Sequence, residues 1–180
     1  MKSVMTHNFR DVPTADIPRS SFNLSHGLKT TFDADYLIPI GVHDVGPGDT
    51  FNMNISMFAR LATPLHPIMD NLYIDLFAFY IPYRLCWENW EKFMGAQDDP
   101  NDSISYTIPV CTGGPTQTGE GSLWDYFGLP LDTKLGAHID PDNVTVSSLP
   151  FRAYTLVYDH WFRDQNLQDS WHSIVTGKPK

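Results

Sequence analysis

Basic residues are scarce in this chain: twelve lysines and arginines stand against twenty-one aspartates and glutamates, a formal net charge of −9. A surface of that sign excludes non-specific nucleic-acid binding by the molecule as a whole, because such binding needs a cationic footprint. Cysteine is scarcer, with only Cys86 and Cys111. Two distant cysteines exclude a disulfide-dense scaffold and a thiolate metal knuckle, and they read as buried free thiols. No apolar run reaches the roughly 18 residues that would mark a membrane span. The first residues also lack the charged-then-apolar order of a secretory leader. The expectation is a protein of cytosolic origin with no membrane partner.

The usual marks of catalysis are missing too. The seven histidines are scattered, and none stands in H-x-H or H-E-x-x-H spacing that would bring metal ligands onto one face. The glycine-rich run 112–121 has no lysine and none of the order of a phosphate-binding loop. Asp98–Asp99 and Asp140–Asp142 sit in turn-like sequence beside Pro100 and Pro141, with no strand to position them for acid/base work. No serine lies in a nucleophile elbow, and neither cysteine has a local histidine signature. The expectation is a protein without catalysis, cofactor or metal.

Proline, glycine and aromatic residues, by contrast, are abundant. Fourteen prolines and twelve glycines favour strands joined by long loops over a helical bundle. The aromatic fraction of 13% suits a folded chain with large contact surfaces. From Phe51 to Leu61 the side chains alternate: Phe51, Met53, Ile55, Met57 and Leu61 share one face, with Asn52, Asn54, Ser56 and Arg60 on the other. That period predicts a strand with one buried and one wet face. Leu72 to Ile81 is apolar on both faces, so a second sheet or a partner must cover both.

Residues 1–35 read as an extended, mildly basic arm. Tyr36–Val42 reads as a short edge strand limited by Pro39, and Gly46-Pro47-Gly48-Asp49 as a turn. Trp87, Trp90 and Phe93 recur at helical spacing, which predicts a short aromatic helix closing residues 36–95. Residues 96–147 form a loop insertion, with one helical turn expected in Ser122–Phe127. Serine at 147–148 followed by Pro150 predicts a helix start, and Phe151, Tyr154, Tyr158, Trp161 and Phe162 carry the spacing onward to about Leu167. This helix opens a block, 148–170, that leaves 171–180 as a tail.

Two blocks carry a family resemblance: FDADYLIPIGVHDV (32–45), continuing into GDTFNMNISMFARLATPLHPIMDNLYIDLFAFYIPYRLCWENWEKFMG (48–95), and SLPFRAYTLVYDHWFRDQNLQDS (148–170). They closely resemble the major capsid proteins of the Microviridae, most of all those of the gokushovirus branch. With the arm, the resemblance covers most of residues 20–170.

The resemblance implies a mainly β fold, an eight-stranded antiparallel jelly roll with long loop insertions and one or two helices. It implies a coat subunit made in the bacterial host cytoplasm and found in the virion. There it would meet other copies of itself in a T=1 icosahedral shell around packaged single-stranded DNA and a small internal DNA-binding protein. Relatives are much longer, and the sequence leaves their pattern after Ser170. That departure reads as a truncated or frameshifted copy holding only the first part of the barrel.

Candidate packing and interface residues are Phe77, Phe79, Tyr80, Trp87, Trp90, Tyr158 and Trp161, with Phe77, Phe79 and Tyr80 expected to be buried. Lys2, Arg10, Arg19 and Lys29 are the candidates for genome or neighbour contact. The competing reading is a carbohydrate- or receptor-binding β-sandwich that uses the 96–147 loops.

Overall fold

The computed structural model describes residues 16–102, 106–113, 118–131 and 144–171. Its elements are short. In chain order they are α1 (Tyr83–Cys86), α2 (Trp90–Phe93), β1 (Val110–Thr112), α3 (Leu123–Tyr126), β2 (Thr145–Ser147), α4 (Leu149–Val157) and a π-helical turn (Tyr158–Phe162). The described chain is mostly non-helical and contains a single two-stranded antiparallel sheet.

The core forms where helices from distant parts of the sequence meet. Cys86, Trp87 and Leu149 are its buried centre, with Ile81, Tyr83, Trp90, Phe93, Tyr106, Ala153 and Leu156 packed around them. The single aromatic helix expected near 87–94 is instead two turns. Trp87 adopts an extended backbone (φ −148°, ψ 116°) and breaks the helix between α1 and α2. The break lets the indole turn into the core, where it lies 8% exposed. Its ring meets Phe93 at 5.5 Å and Trp90 at 6.4 Å. Gly95 follows α2 with φ +97°, a conformation glycine takes without a Cβ penalty.

α4 starts where the sequence indicates, at Leu149 with Pro150 in its first turn, and the Leu149 N–H donates to Ser147 Oγ at 3.3 Å. The helix ends earlier than expected. After Val157 the repeat widens into the π turn, the Arg163 N–H bonds to Tyr158 O at 2.9 Å, and Arg163 turns extended. Residues 163–171 then fold back on the turn, so the apolar spacing beyond Phe162 does not continue as helix.

The turn expected in Ser122–Phe127 is α3. The Ser122 hydroxyl accepts from the Asp125 N–H, and the Asp125 carboxylate accepts from the Gly121 N–H at 2.9 Å. This reciprocal capping stabilises a helix too short to persist on propensity alone. Trp124 is buried and donates to Pro130 O at 2.8 Å. Phe127 and Trp124 both meet Phe151, at 4.7 and 5.9 Å, which docks α3 onto α4. β1 and β2 pair Val110 with Ser147, Cys111 with Val146 and Thr112 with Thr145, closing the base of the insertion. The Ser148 N–H continues that closure to Pro109 O at 2.9 Å.

The strands expected at 51–61, 72–81 and 36–42 do not form. Residues 50–81 make no backbone–backbone hydrogen bond with another described residue, and a strand without a partner has no ladder. The eight-stranded barrel is accordingly not assembled among the described residues. The Gly46–Asp49 turn does form, closed by the Asp49 N–H to Gly46 O at 3.1 Å.

Candidate interaction surface

Residues 51–81 carry a long series of exposed apolar side chains, including Met53, Phe58, Leu65, Leu72 and Tyr73. Soluble monomers seldom expose contiguous apolar surface on this scale, and such surface marks interaction sites. The expected burial of Phe77 and Tyr80 is therefore corrected: they are 57% and 80% exposed. Among the described residues no sheet covers them. Phe79 is half-buried.

The end of this segment is organised by aromatic contacts. Phe77 and Phe79, two positions apart, share a face and lie 6.3 Å apart. Against that face sits the π turn: Phe162 meets Phe77 edge-on at 5.6 Å, and Trp161 meets Phe79 at 5.7 Å. The wider repeat of the π turn places two consecutive aromatic residues, Trp161 and Phe162, against one strand-like face. Trp161 is nonetheless 73% exposed. The result is a pre-arranged aromatic patch that is still open to solvent, the composition found at interface hot spots.

The π turn is held by a polar clasp that the sequence reading missed. Asp159, buried within it, accepts from Ser170 Oγ at 2.8 Å and from the Trp171 N–H at 3.0 Å. Arg163 Nε lies 3.5 Å from the same carboxylate, and its guanidinium donates to Gln168 O at 2.6 Å. Tyr158 adds a hydroxyl bond to the Gln168 side chain at 2.9 Å and a ring contact with Trp171 at 5.7 Å. The only sequence sign was the Asp159–Arg163 spacing of four residues. Nothing local announced Ser170.

The sequence candidates thus divide. Phe77, Phe79 and Trp161 come together in the aromatic patch, and Tyr158 braces it from behind. Trp87 and Trp90 lie in and beside the helical core instead. Tyr80 is exposed outside these ring contacts. Of the arm residues, Lys2 and Arg10 lie outside the described residues. Arg19 donates to Gly48 O at 2.6 Å, and Lys29 is exposed.

The polar groups near the core are built to stay neutral. Burial pushes the Cys86 and Cys111 thiols up from their ordinary pKa, away from the reactive thiolate; Cys86 is buried and Cys111 half-buried. The Tyr83 hydroxyl donates to Asp44, and burial followed by that carboxylate pushes its pKa up to about 12. Tyr154 donates to Leu37 O at 2.9 Å, its pKa also raised, first by burial and then by Tyr158. Among the described residues no group of three histidine, cysteine or acidic side chains could hold a metal ion. Among them, too, no helix is long and apolar enough to cross a membrane.

Comparison with known proteins agrees with this surface-centred reading. The family model for "Capsid protein (F protein)" matches residues 10–177. Capsid protein VP1 of Bdellovibrio phage phiMH2K is 46% identical over 161 residues, and that of Chlamydia phage 1 is 44% identical over 176. Capsid protein VP1 of Spiroplasma virus 4 is 34% identical over 161 residues. These alignments cover 89%, 94% and 89% of the chain but only 29%, 28% and 28% of the three relatives. The chain therefore spans less than a third of the length of the relatives it matches.

Proposed function

Because the chain belongs to the capsid protein (F protein) family, we propose that it acts as a coat subunit of a small single-stranded DNA phage, binding other copies of itself in a T=1 shell. The observation that carries this reading is the exposed apolar segment 51–81, without a ladder partner among the described residues, which ends in the open aromatic patch of Phe77, Phe79, Trp161 and Phe162. A subunit that works by being covered needs such a surface, whereas a catalyst needs converging polar groups. In the assembled particle the segment pairs into a jelly roll, and residues 72–81, apolar on both faces, lose contact with water on both.

The finer parts of the reading follow from the same role. The protein resides in the virion, is made in the host cytoplasm, and performs no catalysis. Arg10, Arg19, Lys2 and Lys29 on the arm are the places for contact with packaged DNA, a small internal DNA-binding protein or a neighbouring subunit. The arm is the mildly basic part of a chain whose overall charge is −9.

Sedimentation velocity followed by electron microscopy of the fast fraction tests this. The expected outcome is large assemblies of the chain. A monodisperse monomer that binds glycans through the 96–147 loops would overturn the coat reading in favour of a receptor-binding module.

A further inference from the structure

Residues 16–49 are tied down in two tiers of different chemistry. The inner tier is a strap, residues 36–49, fixed to the helices by the hydroxyls of Tyr83 on Asp44 and of Tyr154 on Leu37 O. The outer tier is the arm, residues 16–31, and it lies on the strap through two contacts. Arg19 donates to Gly48 O at 2.6 Å. Gly48 has φ +83°, and a Cβ there would sit 3.6 Å from the guanidinium. The second contact is between imidazoles: His26 meets His43 edge-on with ring centroids 5.4 Å apart and planes at 63°. His43 in turn leans on Phe51 at 6.4 Å.

The protonation chemistry of the pair is defined by its neighbours. His26 Nδ1 lies 2.8 Å from Leu24 O, and a carbonyl only accepts, so Nδ1 carries the hydrogen. The added proton then goes to Nε2. The charged groups on the packed elements are Arg19, Lys29 and Asp16 on the arm, Asp33 and Asp35 in the bend that follows, and Asp44 and Asp49 on the strap. Asp44 already accepts from Tyr83, and Asp49 from the Gly46 N–H at 2.9 Å. Among the described residues no carboxylate makes an ion pair with either ring.

We propose that the His26–His43 contact is a proton-operated latch that frees arm residues 16–31 from the strap when both rings carry an added proton. Two imidazolium charges about 5 Å apart in a water-like medium shift the docked-to-free ratio by about fourfold, and Arg19 adds a third positive charge to the same tier. The edge-to-face contact between neutral rings is lost as well. The strap does not follow, because burial pushes the pKa of both its tyrosine anchors, Tyr83 and Tyr154, up and away from any acidic titration.

The latch is independent of the coat reading and is tested on the chain in solution. Nuclear Overhauser contacts between the two rings, together with ¹⁵N relaxation over residues 16–31, are compared at pH 7.5 and 5.5. The latch predicts ring contacts at pH 7.5 that weaken about fourfold at pH 5.5 as the arm gains mobility, with contacts between Tyr154 and Leu37 unchanged. A His43→Phe variant keeps an aromatic partner that cannot charge, so its arm stays docked at both values, helped by the cation–π attraction of a protonated His26. An arm equally docked at both pH values, an arm undocked at pH 7.5, or a His43→Phe arm released at pH 5.5 would each overturn the proposal.

Discussion

Two aromatic-bearing regions meet opposite fates in this molecule. Residues 83–93 bury Cys86 and Trp87 against Leu149 of α4, and their helical turns satisfy their own backbone groups. Residues 51–81 contain no helix and find no ladder partner among the described residues, and most of their apolar side chains stay in water. The difference comes from the range of the hydrogen bonds each needs. A helical turn closes its bonds within four or five residues, whereas a strand depends on another strand elsewhere in the chain or in a neighbour. The described residues therefore keep their local helices and leave the alternating segment without a ladder.

Substitutions sharpen that contrast. Trp87→Ala removes the largest buried ring of the core and is expected to cost about 3–5 kcal/mol, read as a lower urea midpoint by circular dichroism. Phe58→Ala, at an exposed ring in the other region, should leave the midpoint within about 0.5 kcal/mol. Asp159→Asn weakens the clasp behind the aromatic patch by removing the charge facing Arg163, at a cost of about 1–3 kcal/mol. Loss of the Tyr158–Trp171 ring contact by NMR would report the same release.

A smaller effect concerns Tyr83. Its folded pKa of about 12 exceeds the ordinary 10.0, so the stability it contributes is fully present below pH 10 and is lost as pH rises toward 12. Tyr83→Phe should cost about 1 kcal/mol at neutral pH and flatten the stability profile between pH 10 and 12. A variant that keeps the alkaline slope of the unsubstituted chain would remove Tyr83 from that role.

The parts legible in the sequence were those with local causes. Ser122 and the start of α4 could be read from their capping residues, and the Gly46–Asp49 turn from its glycines and proline. The break at Trp87 was not legible, because helical spacing cannot reveal that one indole is drawn into a core completed by the distant α4. The early end of α4 was hidden for a related reason: the Asp159 clasp joins residues up to twelve positions apart. Alternation correctly marked Phe77 and Phe79 as sharing a face, but the burial expected for that face presumed a covering partner. Trp161 and Phe162 meet it only because of the π turn, which leaves no periodic trace in the sequence.

The most direct test of the central claim, that the open aromatic patch and its segment are an assembly surface, is sedimentation velocity of the chain beside a Phe77→Asp, Trp161→Asp double variant. The account predicts fast-sedimenting assemblies for the unsubstituted chain and a slow monomer for the variant, with the helical circular dichroism signal unchanged. Equal sedimentation of the two, whether both assembled or both monomeric, would contradict it.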